Sequence, residues 1–214
     1  MKVIIETHSS ASVDVAPLEP SSFVSEFLEA CATAGDRPVR LRVLDVGTGS
    51  ARIPMALCAR RREIEVLAVD RTVGVVRRAA ENARRAGLET RIRFALADGQ
   101  SLPFSDASCD AVISNGLVHH VANRVALLSE MLRVLHPGGV LFVRDSLRRA
   151  DVDRIGQILR RSDPAGAPTA GRLQRFASAP LTMLEARALL NSAGLPAECL
   201  RRSGPLHWSL CGRL

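Results

Sequence analysis

The stretch "RLRVLDVGTGSARIP", Arg40 to Pro54, passes from an apolar strand through a glycine turn into a helix. "LRVLDV" (41–46) is rich in strand formers, and "ARIPMALCARR" (51–61) reads as a helix. Gly47 and Gly49 fall just past the strand, where missing side chains let backbone approach a ligand at a helix N-terminus. Asp45 stands two residues before the first glycine. A carboxylate there repels a pyrophosphate and attracts an ammonium or a sulfonium. The third glycine of a dinucleotide-binding GxGxxG is also missing, since Arg52 occupies its place.

Strands and helices keep alternating outward from this turn. "IEVLAVD" (64–70) reads as a second strand and "TVGVVRRAAENARRAG" (72–87) as a helix with Val76, Ala79, Ala80 and Ala83 on one face. "RIRFALAD" (91–98) is a third strand and "CDAVISN" (109–115) a fourth. An amphipathic helix (123–135) follows, and "HPGG" is expected to turn the chain into the strand "VLFVRD" (140–145). This order predicts an α/β fold, Rossmann-like and doubly wound, with a mostly parallel seven-stranded sheet.

The flanks differ. Residues 1–35 read as an irregular lead-in and a helix bearing Phe23, Phe27, Leu28 and Cys31. Residues 36–214 read as a single domain with a variable insertion near 146–181, containing a charged helical piece (151–161) and the loop "DPAGAPTAG" (163–171). Thr182 and Glu185 have the spacing of a capping box, and Gly194 stops that helix. Two short strands, near 197–202 and 206–212, are expected to pair as an antiparallel hairpin.

Composition narrows the class. Apolar content of 47% and charged content of 24% describe a soluble globular protein of 214 residues. The net charge of +7 points toward an anionic partner such as RNA, but Lys2 is the sole lysine among 29 basic residues. Compositional drift toward arginine explains that balance better than a nucleic-acid face. The five cysteines are scattered without zinc or disulfide spacing, so no metal is expected. Neither a signal peptide nor a membrane span is legible, and the expected location is cytoplasmic.

Three acids then speak together. Asp45, Asp70 and Asp98 each close a strand. A carboxylate in the position of Asp70 accepts both hydroxyls of a ribose. Asp98 is placed to accept from the exocyclic amine of an adenine, and Asp45 suits a cation. A ligand with a cationic amino-acid end, a ribose and an adenine fits all three, and S-adenosylmethionine is such a ligand.

From Arg40 to Asp145 the chain resembles the class I S-adenosylmethionine-dependent methyltransferases. "VLDVGTGSARIP" resembles their D-x-G-x-G-x-G motif, with Ala51 in place of the third glycine, and "LAVDRT" their ribose-binding acid. "ALADGQSLPF", "FSDASCDAVISNGLVHHV" and "LRVLHPGGVLFVRD" resemble the adenine-binding, fourth-strand and fifth-strand segments. The likeness is to the small-molecule branch that includes ubiquinone and menaquinone biosynthesis enzymes. It implies that Gly47, Thr48 and Gly49 line the methionine end while Asp45 orders its polar groups. It implies further that Asp70, with Arg71 beside it, holds the ribose, and that Asp98, Gly99 and Gln100 recognise adenine. Asn115 and Gly116 would sit beside the sulfonium. The products would be S-adenosylhomocysteine and a methylated small molecule.

Methyl transfer from a sulfonium is an in-line displacement, and a base is required only where the acceptor must lose a proton. His119 and His120, just past the fourth strand, are the candidates, and only one of two adjacent side chains is expected to face the site. Packing or capping of the next helix accounts for the pair equally well. Asp145 reads first as a turn residue pairing with Arg144, Arg148 or Arg149, and otherwise as a group that orients the acceptor. Glu6 and His8 are placed by position alone, in the segment 1–35 that in similar enzymes folds over the substrate. An RNA methyltransferase, a non-catalytic cofactor-binding scaffold and a nicotinamide dehydrogenase are the alternatives; "SNGL" is not the proline-rich motif used on base amino groups.

Overall fold

The run Leu41–Val46 is buried from Val43 onward, and Cys109–Asn115 is buried along most of its length. Strands covered on both faces read as continuous apolar runs, which is the signature of parallel pairing beneath helices. The structure, a computed structural model, describes residues 20–32, 40–148 and 180–214. The lead-in with Glu6 and His8, the charged piece at 151–161 and the loop at 163–171 lie outside the described residues.

Helix α1 (Pro20–Ala32) precedes β1 (Leu41–Val46), α2 (Arg52–Arg60), β2 (Ile64–Asp70), α3 (Val73–Arg85), β3 (Ile92–Leu96) and β4 (Cys109–Asn115). A 3-10 turn (Val118–His120), α4 (Arg124–Val134), β5 (Leu135–Ser146), α5 (Met183–Ser192), β6 (Leu200–Arg202) and β7 (His207–Arg213) follow. The described strands form one seven-stranded sheet in the order β3-β2-β1-β4-β5-β7-β6. Strand β7 runs antiparallel to β5 and β6, and the other pairs are parallel. The expected doubly wound sheet with a terminal hairpin is therefore what the chain forms. Strand order reverses between the parallel strands β1 and β4, which puts the ligand crevice at their carboxyl ends.

Strand alternation divides the core into two layers. Leu44, Val46, Val112, Leu141 and Val143 pack with α4 and α5, whereas Val43, Ala111, Ile113 and Phe142 pack with Phe23 and Phe27 of α1 and Leu57 of α2. Arg144 is buried on the α1 face. It donates to Ser22 Oγ (3.0 Å), pairs with Glu26 (2.5 Å) and lies 5.5 Å from the centre of the Phe23 ring. Helix α5 opens on the expected capping box, with Glu185 N donating to Thr182 Oγ1 and Thr182 N donating to Glu185 Oε2.

Three boundaries differ from expectation. "HPGG" does not turn the chain into a strand: β5 already starts at Leu135, and from Cys109 to Ala111 of β4 it advances from Leu135 to Val140 as a bulge. A Cβ on Gly139 would stand 2.7 Å from the His136 carbonyl and 2.8 Å from that of Asp110, so the bulge admits glycine there. Strand β3 ends at Leu96, and Asp98 belongs to the following turn, where Ser101 N donates to its carbonyl (3.0 Å). Residues 197–199 form a 3-10 turn ahead of the short β6.

Candidate active site

The loop after β1 is held by its neighbours. Gly47 N and Thr48 N both donate to the Val69 carbonyl (2.9 and 3.0 Å), and Asn82 of α3 donates to the Ser50 carbonyl (3.1 Å). Gly47 (φ 79°), Gly49 (φ 56°) and Ala51 (φ 63°) all have left-handed backbone. A Cβ on Gly49 would meet nothing within 4 Å, so the loop presents bare backbone to open space. Ala51 is correctly placed at the helix start but, with its left-handed φ, occupies a conformation that favours glycine.

Asp70, at the end of β2, orders this loop from the side. Its Oδ2 accepts from Gly49 N (3.4 Å) and its Oδ1 from Thr72 N (3.0 Å). In the turn after β3, Asp98 Oδ1 accepts from Gln100 N (2.9 Å) and Gln100 Nε2 (3.2 Å). Gln100 Oε1 in turn accepts from Asn123 N (3.1 Å), at the N-cap of α4. Gln100 thus positions Asp98 against α4. A Cβ on Gly99 would lie 2.7 Å from Leu127 and 2.8 Å from Val46, so backbone is pressed against the core there.

Seven of the expected site residues, Gly47, Asp70, Arg71, Asp98, Gly99, Gln100 and His120, line one cavity of about 270 Å³. Asp45, Thr48, Gly49, Asn115, Gly116 and His119 are not on its wall; the first five stand at the ends of β1 and β4, and His119 lies in the 3-10 turn after β4. Thr48 Oγ1 and Asn115 Oδ1 are buried without a hydrogen-bond partner at bonding geometry. Asp45 is 2% exposed, and burial pushes its carboxyl up to about 7, with the Thr48 hydroxyl opposing and the Asp70 charge adding.

S-adenosylmethionine fits this donor set. Asp98 in the turn after β3, Asp70 on β2 and Asp45 on β1 follow the sheet order, matching adenine, ribose and cationic amino acid along one molecule. The buried Asn115 Oδ1, unpartnered among the described residues, would accept from the amino-acid end, and the Thr48 hydroxyl stands between that end and Asp45 in the chain of polar groups. Among the described residues, no cluster of three or more His, Cys, Asp or Glu side chains could hold a metal ion.

The two histidines part company. His120 lines the cavity, and burial, then the neighbouring His119, holds its ring below the usual histidine range, with Arg71 adding. His119 instead turns to Asp145, its Nδ1 lying 2.5 Å from Oδ1 while its backbone N donates to Oδ2 (3.2 Å). Asp145 is 1% exposed, and Ser146 N also donates to its Oδ1 (2.6 Å). Of the three arginines that the sequence offers Asp145, Arg149 lies outside the described residues and the other two are engaged elsewhere. Arg144 points to the opposite face, as alternate strand residues must, and Arg148 pairs with Glu185 (2.5 Å). A carboxylate accepting from Nδ1 would leave the ring's lone pair on Nε2. Nothing in the sequence signalled a contact spanning residues 119 and 145 except the face that Asp145 shares with Val143.

Residues 44–143 match the protein family described as "Methyltransferase domain". The chain is 32% identical over 134 residues to a 27-O-demethylrifamycin SV methyltransferase of Amycolatopsis mediterranei, covering 58% of this chain and 49% of that one. It is 35% identical over 102 residues to a ubiquinone/menaquinone biosynthesis C-methyltransferase of Syntrophotalea carbinolica, covering 48% of this chain and 42% of that one. The chain therefore spans about half the length of these relatives. Among solved structures, the [4+2]-cyclase SpnF superposes with a TM-score of 0.60 at 26% identity, over 81% of this chain and 56% of that one. Residues 44–143 thus carry a methyltransferase domain, and the chain is similar to the class I S-adenosylmethionine-dependent methyltransferases.

Proposed function

We propose that this protein methylates a hydroxyl oxygen of a small-molecule acceptor by in-line displacement, with His119 as general base and Asp145 as its positioning residue. The carrying observation is the contact of 2.5 Å between His119 Nδ1 and the buried Asp145 carboxylate. S-adenosylmethionine, when bound, supplies an activated methyl group whose sulfonium charge is lost on transfer. Asp45, Thr48 and Asn115 would hold its amino-acid end, Asp70 its ribose, and Asp98, kept in place by Gln100, its adenine. A thiolate or a neutral amine can react without a matched base, but a hydroxyl must lose its proton as the new bond forms. Asp145 fixes the tautomer that leaves Nε2 of His119 free to take that proton. It also balances the charge of the imidazolium that results. The name of the rifamycin relative, an O-demethyl substrate, supports oxygen; the C-methyltransferase relative stands for the competing outcome.

Acceptors bearing phenolic or aliphatic hydroxyls, assayed for S-adenosylhomocysteine release and for the site of methylation, test this. His119→Ala is expected to lower turnover by about 10²–10⁴-fold while the affinity for S-adenosylhomocysteine stays within a factor of about two. Asp145→Asn should lower kcat in the same direction with KM for the cofactor unchanged. Undiminished turnover in His119→Ala, or methyl carried on carbon, sinks the oxygen assignment. A second reading rests on the likeness to a cyclase, since one fold can serve several chemistries. Its mark would be cofactor binding with an acceptor rearranged but not gaining a methyl group.

A further inference from the structure

Asp45 is a buried acid without a counter-charge. It is 2% exposed, and among the described residues no Lys, Arg or His forms an ion pair with it. The charged group that acts on it from β2 is another carboxylate, Asp70. From the β1–α2 loop it meets the Thr48 hydroxyl, and at the end of β4 stands the uncharged Asn115. Arg71, Asp98 and His120 line the neighbouring cavity, of whose wall Asp45 is not part. A lone carboxylate withdrawn from water is strongly disfavoured, and it escapes the penalty by keeping its proton.

We propose that cofactor binding is linked to the release of one proton: Asp45 is a neutral carboxylic acid in the ligand-free protein and ionises when the cofactor's α-ammonium comes to rest beside it. The inference rests on the cofactor assignment above. The ammonium supplies the missing counter-charge, and the proton leaves to solvent. The upward displacement of Asp45 to about 7 agrees with this, and it sets the window. Below that pH the ligand must displace a proton, so affinity weakens by about tenfold for each pH unit; above it the carboxylate is already formed and affinity levels off.

Calorimetry with S-adenosylhomocysteine, run in buffers of different ionisation heat, counts the proton. Wild type should release about one proton per ligand near pH 6 and none near pH 8.5. His120→Gln should keep this linkage, which separates Asp45 from the imidazole on the cavity wall. Asp45→Asn should bind weakly, with no proton released and no slope between these pH values. In infrared spectra of wild type, a protonated-carboxyl band near pH 6 should vanish when S-adenosylhomocysteine is added, a readout that does not need the variant to fold. Binding without proton release near pH 6, or an unchanged slope in Asp45→Asn, overturns the linkage and leaves the cofactor assignment standing. Absence of binding at every pH overturns both.

Discussion

Ala51 is fully buried at the start of α2 with φ 63° and ψ 23°. A left-handed residue with a Cβ is strained by about 1–2 kcal/mol, and glycine escapes that strain while adding about 0.5–1 kcal/mol of unfolded-state entropy. The balance predicts that Ala51→Gly raises stability by about 0.5–1 kcal/mol, read as a higher urea midpoint with an unchanged slope. Ala51→Val should lower it by more than about 2 kcal/mol, because a branched side chain is a poorer fit to the same φ. A lower midpoint for Ala51→Gly would show that the methyl packs better than the strain suggests. The sequence already marked this position as a departure from the family's third glycine, but not its backbone, since an alanine at a helix start normally takes right-handed angles. The Asp145 contact was hidden for a related reason. Two adjacent residues, Arg144 and Asp145, carry opposite charges to opposite faces, and a linear reading pairs them with each other.

At the scale of elements, α1 is tied to the sheet by Arg144, which reaches Glu26 and Ser22 across the Phe23–Phe142 contact (centroids 4.7 Å apart). Glu26 also pairs with Arg201 of β6 (2.8 Å), so one carboxylate ties a helix to two strands. Removing one member of a buried pair leaves an uncompensated charge, worth about 3–5 kcal/mol when both are fully enclosed. Glu26 is partly exposed, and Glu26→Ala should therefore lower stability by about 1–3 kcal/mol, measured by chemical unfolding. Arg144→Met together with Glu26→Leu should recover much of the loss; failure to recover would mean that the charge pair is not the source. The helix itself was legible from Phe23 and Phe27 at helical spacing, and the strands from their apolar runs. The bulge at 136–139 was not, because "HPGG" is equally good turn chemistry and only the register with β4 makes it part of a strand.

Across the whole molecule, the alternation of strand residues explains why the acids of β1 and β2 and the His119–Asp145 pair belong to different layers of the sheet. Asp45, Asp70 and Asn115 share the parity of the α1–α2 layer, and Asp145 shares that of the α4–α5 layer, so the two sets of groups meet only at the carboxyl edge. That edge is also where the two displaced histidines gather. Burial holds His120 and His207 below the usual range, helped by His119 and Arg71 for the first and by Arg144 for the second, with Asp145 pulling both the other way. A depressed histidine resists charging in the fold and charges readily once unfolded. Its stabilising contribution is present above the unfolded value of about 6.5 and is lost as pH falls through the lower folded value. Asp45 has the opposite sign: its contribution is complete below about 4 and is lost as pH rises through about 7. Melting temperatures of the ligand-free protein between about pH 4 and pH 8 should therefore respond to the variants in opposite ways. His120→Gln and His207→Gln should lessen the fall on the acid side, while Asp45→Asn should raise the melting temperature near pH 8 and leave it unchanged near pH 4. A parallel offset at every pH for all three variants would mean that packing, not protonation, distinguishes them, and that the carboxyl edge does not tune the fold to pH.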